Sequence, residues 1–156
     1  MKCEHGPDVD ESLAVSVSTP GYGTWARLYN RADPWCDGSI KVCAQIGAPG
    51  LLATVHDVTL AVMGGNDLLP FLDGLARDFA GWTGTRAWAS MDGDLRIDAV
   101  FSSRGYAGLT WTITPWRHKN GNWTASATVV LEAGEQMRRL VADVHQFFQR
   151  SAGDHG

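Results

Sequence analysis

Polar and apolar residues alternate along most of the chain, and two segments replace that alternation with a helical period. Residues 24–30 and 39–46 alternate cleanly and predict two antiparallel strands. The Asp33-Pro34-Trp35-Cys36-Asp37-Gly38 segment between them has the turn residues of a hairpin connection. After the Gly47-Ala48-Pro49-Gly50 break, residues 51–63 are rich in β-branched side chains and long enough for a bent strand or two short ones. Leu68, Phe71, Leu72, Leu75 and Phe79 then fall at helical spacing. Asn66 or Asp67 is placed to cap this helix, Pro70 lies in its first turn and Gly81 closes it. Four further strands are expected over residues 86–91, 95–101, 106–116 and 123–132, with turns between them. The last element, residues 135–149, is an amphipathic helix with Met137, Leu140, Val141, Val144 and Phe148 on one stripe. The pattern predicts an α+β fold, an antiparallel meander sheet with two helices packed on one face, over residues 21–150. Residues 1–20 read as a loose leader with one short strand near residues 13–17, and residues 151–156 as a frayed tail.

Period two assigns the faces of the last three strands. Leu95, Ile97, Ala99 and Phe101 share the core parity with Ala107, Leu109, Trp111 and Ile113, and with Trp123, Ala125, Ala127, Val129 and Leu131. The opposite parity carries Arg96 and Asp98, then Tyr106, Thr110, Thr112, Thr114 and Trp116, then Thr124, Ser126 and Thr128. This hydroxyl-rich face has two readings. Threonine combines strand propensity with tolerance of water, and a flat hydroxyl platform edged by Tyr106 and Trp116 also suits a polar ligand or a partner protein. Of the seven Trp residues, Trp35 sits in a turn and is a second candidate for surface contact.

The 156-residue length and 44% hydrophobic content fit one domain with a sizeable core. A net charge of -4 gives no general attraction to nucleic acid or anionic lipid, so neither partner is expected. The N-terminus is polar and acidic where an export signal needs a basic start and an apolar run. Residues 51–63 fall short of the ~20 apolar residues of a membrane span. A cytoplasmic protein is the expectation, and three cysteines in such a chain read as free thiols.

No nucleophile-and-base signature surrounds Cys36, Cys43 or the serines. The Cys3, His5, Cys36 and Cys43 spacings are not those of a zinc ribbon or finger, and no phosphate-binding glycine loop is present, so no metal and no cofactor is expected. His56 and Asp57 interrupt an apolar strand, where a structural role is the default. Asp98 and Glu132, on neighbouring strands, form the one carboxylate pair with a claim to acid–base chemistry, and they carry the enzyme alternative.

The Asp67–Gly84 run, Trp88-Ala89-Ser90, the Gly108–Trp116 strand and Glu132-Ala133-Gly134-Glu135-Gln136-Met137 resemble a family of small uncharacterised actinobacterial proteins, a domain of unknown function, over roughly residues 24–149. More distantly, the order of elements is similar to immunity proteins of bacterial polymorphic toxin systems. The resemblance implies a non-catalytic binding protein with a partner protein, its specific form being an immunity-like one. The alternatives are a small polar-ligand binder on the Thr/Ser face and a small enzyme.

Overall fold

The computed structural model describes residues 14–19, 21–115 and 122–149. Its elements follow in the order β1 (Val15–Thr19), β2 (Thr24–Ala32), β3 (Ile40–Ala48), β4 (Leu51–Ala61), α1 (Leu68–Arg77), β5 (Thr85–Ala89), β6 (Leu95–Phe101), β7 (Tyr106–Ile113), β8 (Ala125–Glu132) and α2 (Glu135–Gln149). This is the expected α+β class, with antiparallel strands in meander order. The meander is cut at α1 into two four-stranded sheets, β1-β2-β3-β4 and β5-β6-β7-β8. The proposed tail, most of the leader and Trp116 lie outside the described residues.

Residues 51–63 form one strand that runs to Ala61, kept continuous by register shifts against β3. Asp57 there adopts a φ of 59°, a left-handed conformation that strands rarely contain. The β2–β3 connection is held by Asp33, whose carboxylate accepts the Asp37 and Gly38 amides at 3.1 and 3.0 Å. This is the local side-chain bonding that makes Asp a turn residue.

Buried side chains of both sheets and both helices form one hydrophobic cluster. The core parities of β6, β7 and β8 are as the alternation predicts: Leu95, Ile97, Ala99, Leu109, Ile113 and Val129 are fully enclosed. In α2 the enclosed stripe is Met137, Leu140, Val141, Val144 and Phe147. Phe148 is only partly buried, because the last step of the stripe is three residues rather than four. Each such burial is worth about 1.5–3 kcal/mol. α1 starts under Asn66, whose Oδ1 accepts the Leu68 and Leu69 amides at 2.9 and 3.3 Å. It ends at Arg77, before the expected Gly81, and this early stop leaves Phe79 exposed. His145 of α2 meets Asp73 of α1 at 2.8 Å and links the helices.

α2 packs against α1, β1 and β8, and β8 lies beside β1 and β2, so the two sheets join along one side. The expectation of free thiols is corrected at Cys43, which is disulfide-bonded. Cys36 is free and exposed. Spacing arguments miss such a bond because Cys43 sits inside a strand with no cysteine framework around it.

Candidate functional site

Tyr106, Thr110, Thr112, Thr114, Thr124, Ser126 and Thr128 all lie on the outer parity of the second sheet, opposite its core residues. The β7–β8 register sets Thr110 opposite Thr128, Thr112 opposite Ser126 and Tyr106 opposite Glu132. Two pairs bond to each other: Thr110 and Thr128 hydroxyls at 2.8 Å, Thr114 and Thr124 at 3.0 Å. Such cross-strand pairs contribute about 0.2–1 kcal/mol each. The threonine face therefore braces its own strands, and each bonded hydroxyl keeps a lone pair for an outside donor.

At one end this face drops into an open groove of about 640 Å³, where the two sheets meet. Thr19, Tyr22 and Thr24 come from the first sheet. Tyr106, Thr128, Val130 and Gln136 come from the second sheet and α2. Tyr22 is 74% exposed and Tyr106 46%, so two aromatic rings stand free on its walls. Tyr22 lies between Gly21 and Gly23, whose φ values of 84° and 70° let the chain turn tightly and present the ring outward.

The groove is fixed from below. The Val130 amide donates to Thr19 Oγ1 at 2.7 Å. Gln136 is held by a reciprocal cap: its Oε1 accepts the Glu132 amide at 2.7 Å, while the Glu132 carboxylate accepts the amides of Gly134, Glu135 and Gln136 at 3.0, 2.7 and 3.3 Å. These bonds at the N-terminus of α2 hold the Glu132 carboxyl below its ordinary value. Among the described residues, no charged side chain lines the groove.

The other sequence candidates are dispersed. Trp35 is exposed, but it belongs to the β2–β3 connection of the first sheet, with Lys41 Nζ 5.0 Å from its ring, and does not reach the groove. Asp98 pairs with Arg96 on its own strand at 2.9 Å, and Glu132 caps α2, so the expected carboxylate pair does not form. His56 Nδ1 lies 3.8 Å from Cys43 Sγ, beside a sulfur already engaged in its disulfide. Among the described residues, no group of three or more His, Cys, Asp or Glu side chains could hold a metal ion. Nor is any helix there long and apolar enough to cross a membrane.

Sequence reasoning missed Thr19, Tyr22, Thr24 and Gln136, which only the meeting of the two sheets brings to Tyr106. The Gly21-Tyr22-Gly23 triplet is the one local signal, an aromatic residue at a turn with no strand to bury it. The outer face of the first sheet holds a second polar cluster. Arg27 lies 5.6 and 4.9 Å from the Trp25 and Tyr29 rings and donates to Gln45 Oε1 at 2.8 Å, and Gln45 in turn donates to Thr54. Burial holds the Tyr29 hydroxyl above its ordinary pKa.

No curated protein and no solved structure gives a significant match to the chain. A family of unknown function matches residues 17–151, a wider span than residues 24–149, and the match carries neither an actinobacterial origin nor a likeness to immunity proteins. With nearly the whole chain inside that match, the protein belongs to the family of unknown function DUF6228.

Proposed function

We propose that the protein is a binding protein, that its contact surface is the Tyr22–Tyr106 groove with the adjoining threonine face, and that its partner is another protein. The observation that carries this reading is the pair of exposed tyrosines over a hydroxyl- and amide-bearing lining. Tyrosine supplies large contact area at low entropic cost and is enriched where protein interfaces concentrate their energy. An immunity-like role, with a toxin domain as the bound partner, is the specific form suggested by the element order. The test is calorimetric titration with the purified product of the gene adjacent to its own. Tyr22→Ala and Tyr106→Ala are expected to weaken binding at least tenfold each while leaving the melting temperature unchanged. Absence of binding, or binding indifferent to both changes, overturns the proposal.

The groove volume favours a second reading. About 640 Å³ lies within the ~300–1,000 Å³ range of small-molecule sites, and the lining suits a neutral polar ligand. A thermal-shift screen of neutral polar compounds separates the two readings: a stabilising hit whose effect Tyr106→Ala abolishes supports the small ligand.

A further inference from the structure

The outer face of the first sheet is enclosed where that of the second is open. On β6, β7 and β8 every residue opposite the core parity is exposed or half-buried. On β3, Val42, Ala44 and Ile46 belong to the core cluster, yet Cys43 and Gln45 on the opposite parity are buried too, at 0% and 8% exposure. Tyr29, which stands opposite Cys43 on β2, is 1% exposed. Neither Tyr29 nor Cys43 belongs to the core cluster. A strand loses its alternation in this way when both of its faces are covered.

Among the described residues, no element supplies this second cover. α2 packs on α1, β1 and β8, and the strands of the second sheet meet the first through the shared core. The disulfide of Cys43 picks out what does. The chain has three cysteines, Cys36 is free, and Cys3 is the one that remains.

Reach and charge agree with that segment. Val15 stands opposite Leu28 and Leu28 opposite Ala44, so Cys43 lies about 10 Å, two strand spacings, from the start of β1. Residues 4–14 reach well beyond this at ~3.3 Å each, with slack to turn back over the sheet. Glu4, Asp8, Asp10 and Glu11 make the segment acidic. The face it meets carries Arg27, whose guanidinium lies against the Trp25 and Tyr29 rings and is oriented by the buried Gln45. Ser16 and Ser18, where the segment enters β1, line an open groove of about 540 Å³ with Trp25, Arg27 and Gln45.

We propose that residues 1–13 form a cover over the outer face of the first sheet, pinned by a Cys3–Cys43 disulfide with its carboxylates toward Arg27, and that reduction of the disulfide releases it. Cys43 Sγ is enclosed, so a dithiol reductant attacks the Cys3 sulfur. The S–S bond breaks and Cys43 leaves as a thiolate beside His56 Nδ1, 3.8 Å away. The second thiol of the reductant then displaces Cys3. The reductant ends as a disulfide, and its two thiol protons end on Cys43 and Cys3. Release opens the row of Tyr29, Cys43 and His56 next to the Arg27 groove. This face is separate from the Tyr22–Tyr106 groove and does not rest on its assignment.

The test begins with the full chain, air-oxidised in native buffer, digested without reductant and read by mass spectrometry. The Cys3 peptide is expected joined to the Cys43 peptide, with Cys36 open to iodoacetamide. After reduction by a dithiol, Cys43 should react with iodoacetamide at a rate within tenfold of exposed Cys36, and in Cys3→Ser it should do so without reduction. The Leu28 and Ile46 amides should stay protected from exchange throughout, which separates release of a cover from unfolding. If Cys3→Ser fails to fold, the reduced, unaltered chain decides. Cys43 joined to Cys36 or to a second chain, or still a thiol after oxidation, overturns the pairing. Cys43 more than tenfold slower than Cys36 after reduction, or reactive only where the Leu28 and Ile46 amides also lose protection, overturns the release.

Discussion

The Val130 amide on the edge of β8 donates to Thr19 Oγ1 at the end of β1, and this 2.7 Å bond ties the second sheet to the first beside the tyrosine groove. Thr19→Val keeps the shape of the side chain and removes the acceptor. It should cost about 0.5–1.5 kcal/mol in urea unfolding, the usual range for one such bond, whereas Thr19→Ser should cost less. Equal stability of all three proteins would show that the bond does not hold the junction.

Trp25 and Gly47 form a second dependence. They are paired across β2 and β3, and a Cβ added at Gly47 would lie 2.4 Å from the Trp25 ring. Gly47→Ala must push the indole off the strand and away from Arg27, at about 1–3 kcal/mol, the common range for overpacking. In the Trp25→Leu background the same change should cost much less, a coupling that a double-mutant cycle measures.

The Glu132 cap makes stability depend on pH with a definite sign. Its carboxyl is held below the ordinary value of 4.5, so its contribution is present above that pH and is lost as pH falls through the lowered folded value. Glu132→Gln should therefore lower the melting temperature by a constant amount near neutrality, and the difference should shrink below about pH 4.5. A difference that persists unchanged into acid would rule out the carboxylate cap.

Asp94 has the opposite sign. It is buried in the β5–β6 turn, bonded to the Ser90 hydroxyl, and burial lifts its carboxyl above the ordinary 3.8. The folded state favours the protonated form, so that contribution is full below 3.8 and is lost as pH rises through the raised value. Asp94→Asn should gain stability relative to the unaltered chain as pH rises from about 3.8, followed by thermal unfolding across the pH range. Ser90→Ala should cost about 1–3 kcal/mol, since it strips a partner from both Asp94 and the Leu95 amide.

None of these four relationships was legible in the sequence, whereas much of the core was. Period two placed Leu95, Ile97, Leu109, Ile113 and Val129 in the core, and period 3.6 gave the bounds of α2, because each is set by neighbours a few residues away. The division into two sheets was not readable. Nothing in residues 62–84 states that β5 begins a new sheet, since sheet membership is decided by long-range pairing. The threonine face was legible as alternation, but the groove at its end was not, because Tyr22 and Tyr106 are brought together only where β1 meets β8. The Asp98–Glu132 pair failed because β6 and β8 are not neighbours: β7 lies between them, Asp98 stands opposite Thr110 and Glu132 opposite Tyr106, and each carboxylate has nearer partners, Arg96 and the amides of the α2 first turn. The Cys43 disulfide and the left-handed Asp57 have no pattern in a single sequence from which to read them.

Amide hydrogen exchange of the chain bound to the purified product of the adjacent gene reads the contact surface segment by segment. A contact surface at the tyrosine groove predicts slowed exchange in residues 21–24, 106–110 and 128–136, the segments that build it. Protection confined to the outer face of the first sheet around Trp25 and Arg27, or no protection on mixing, would contradict it.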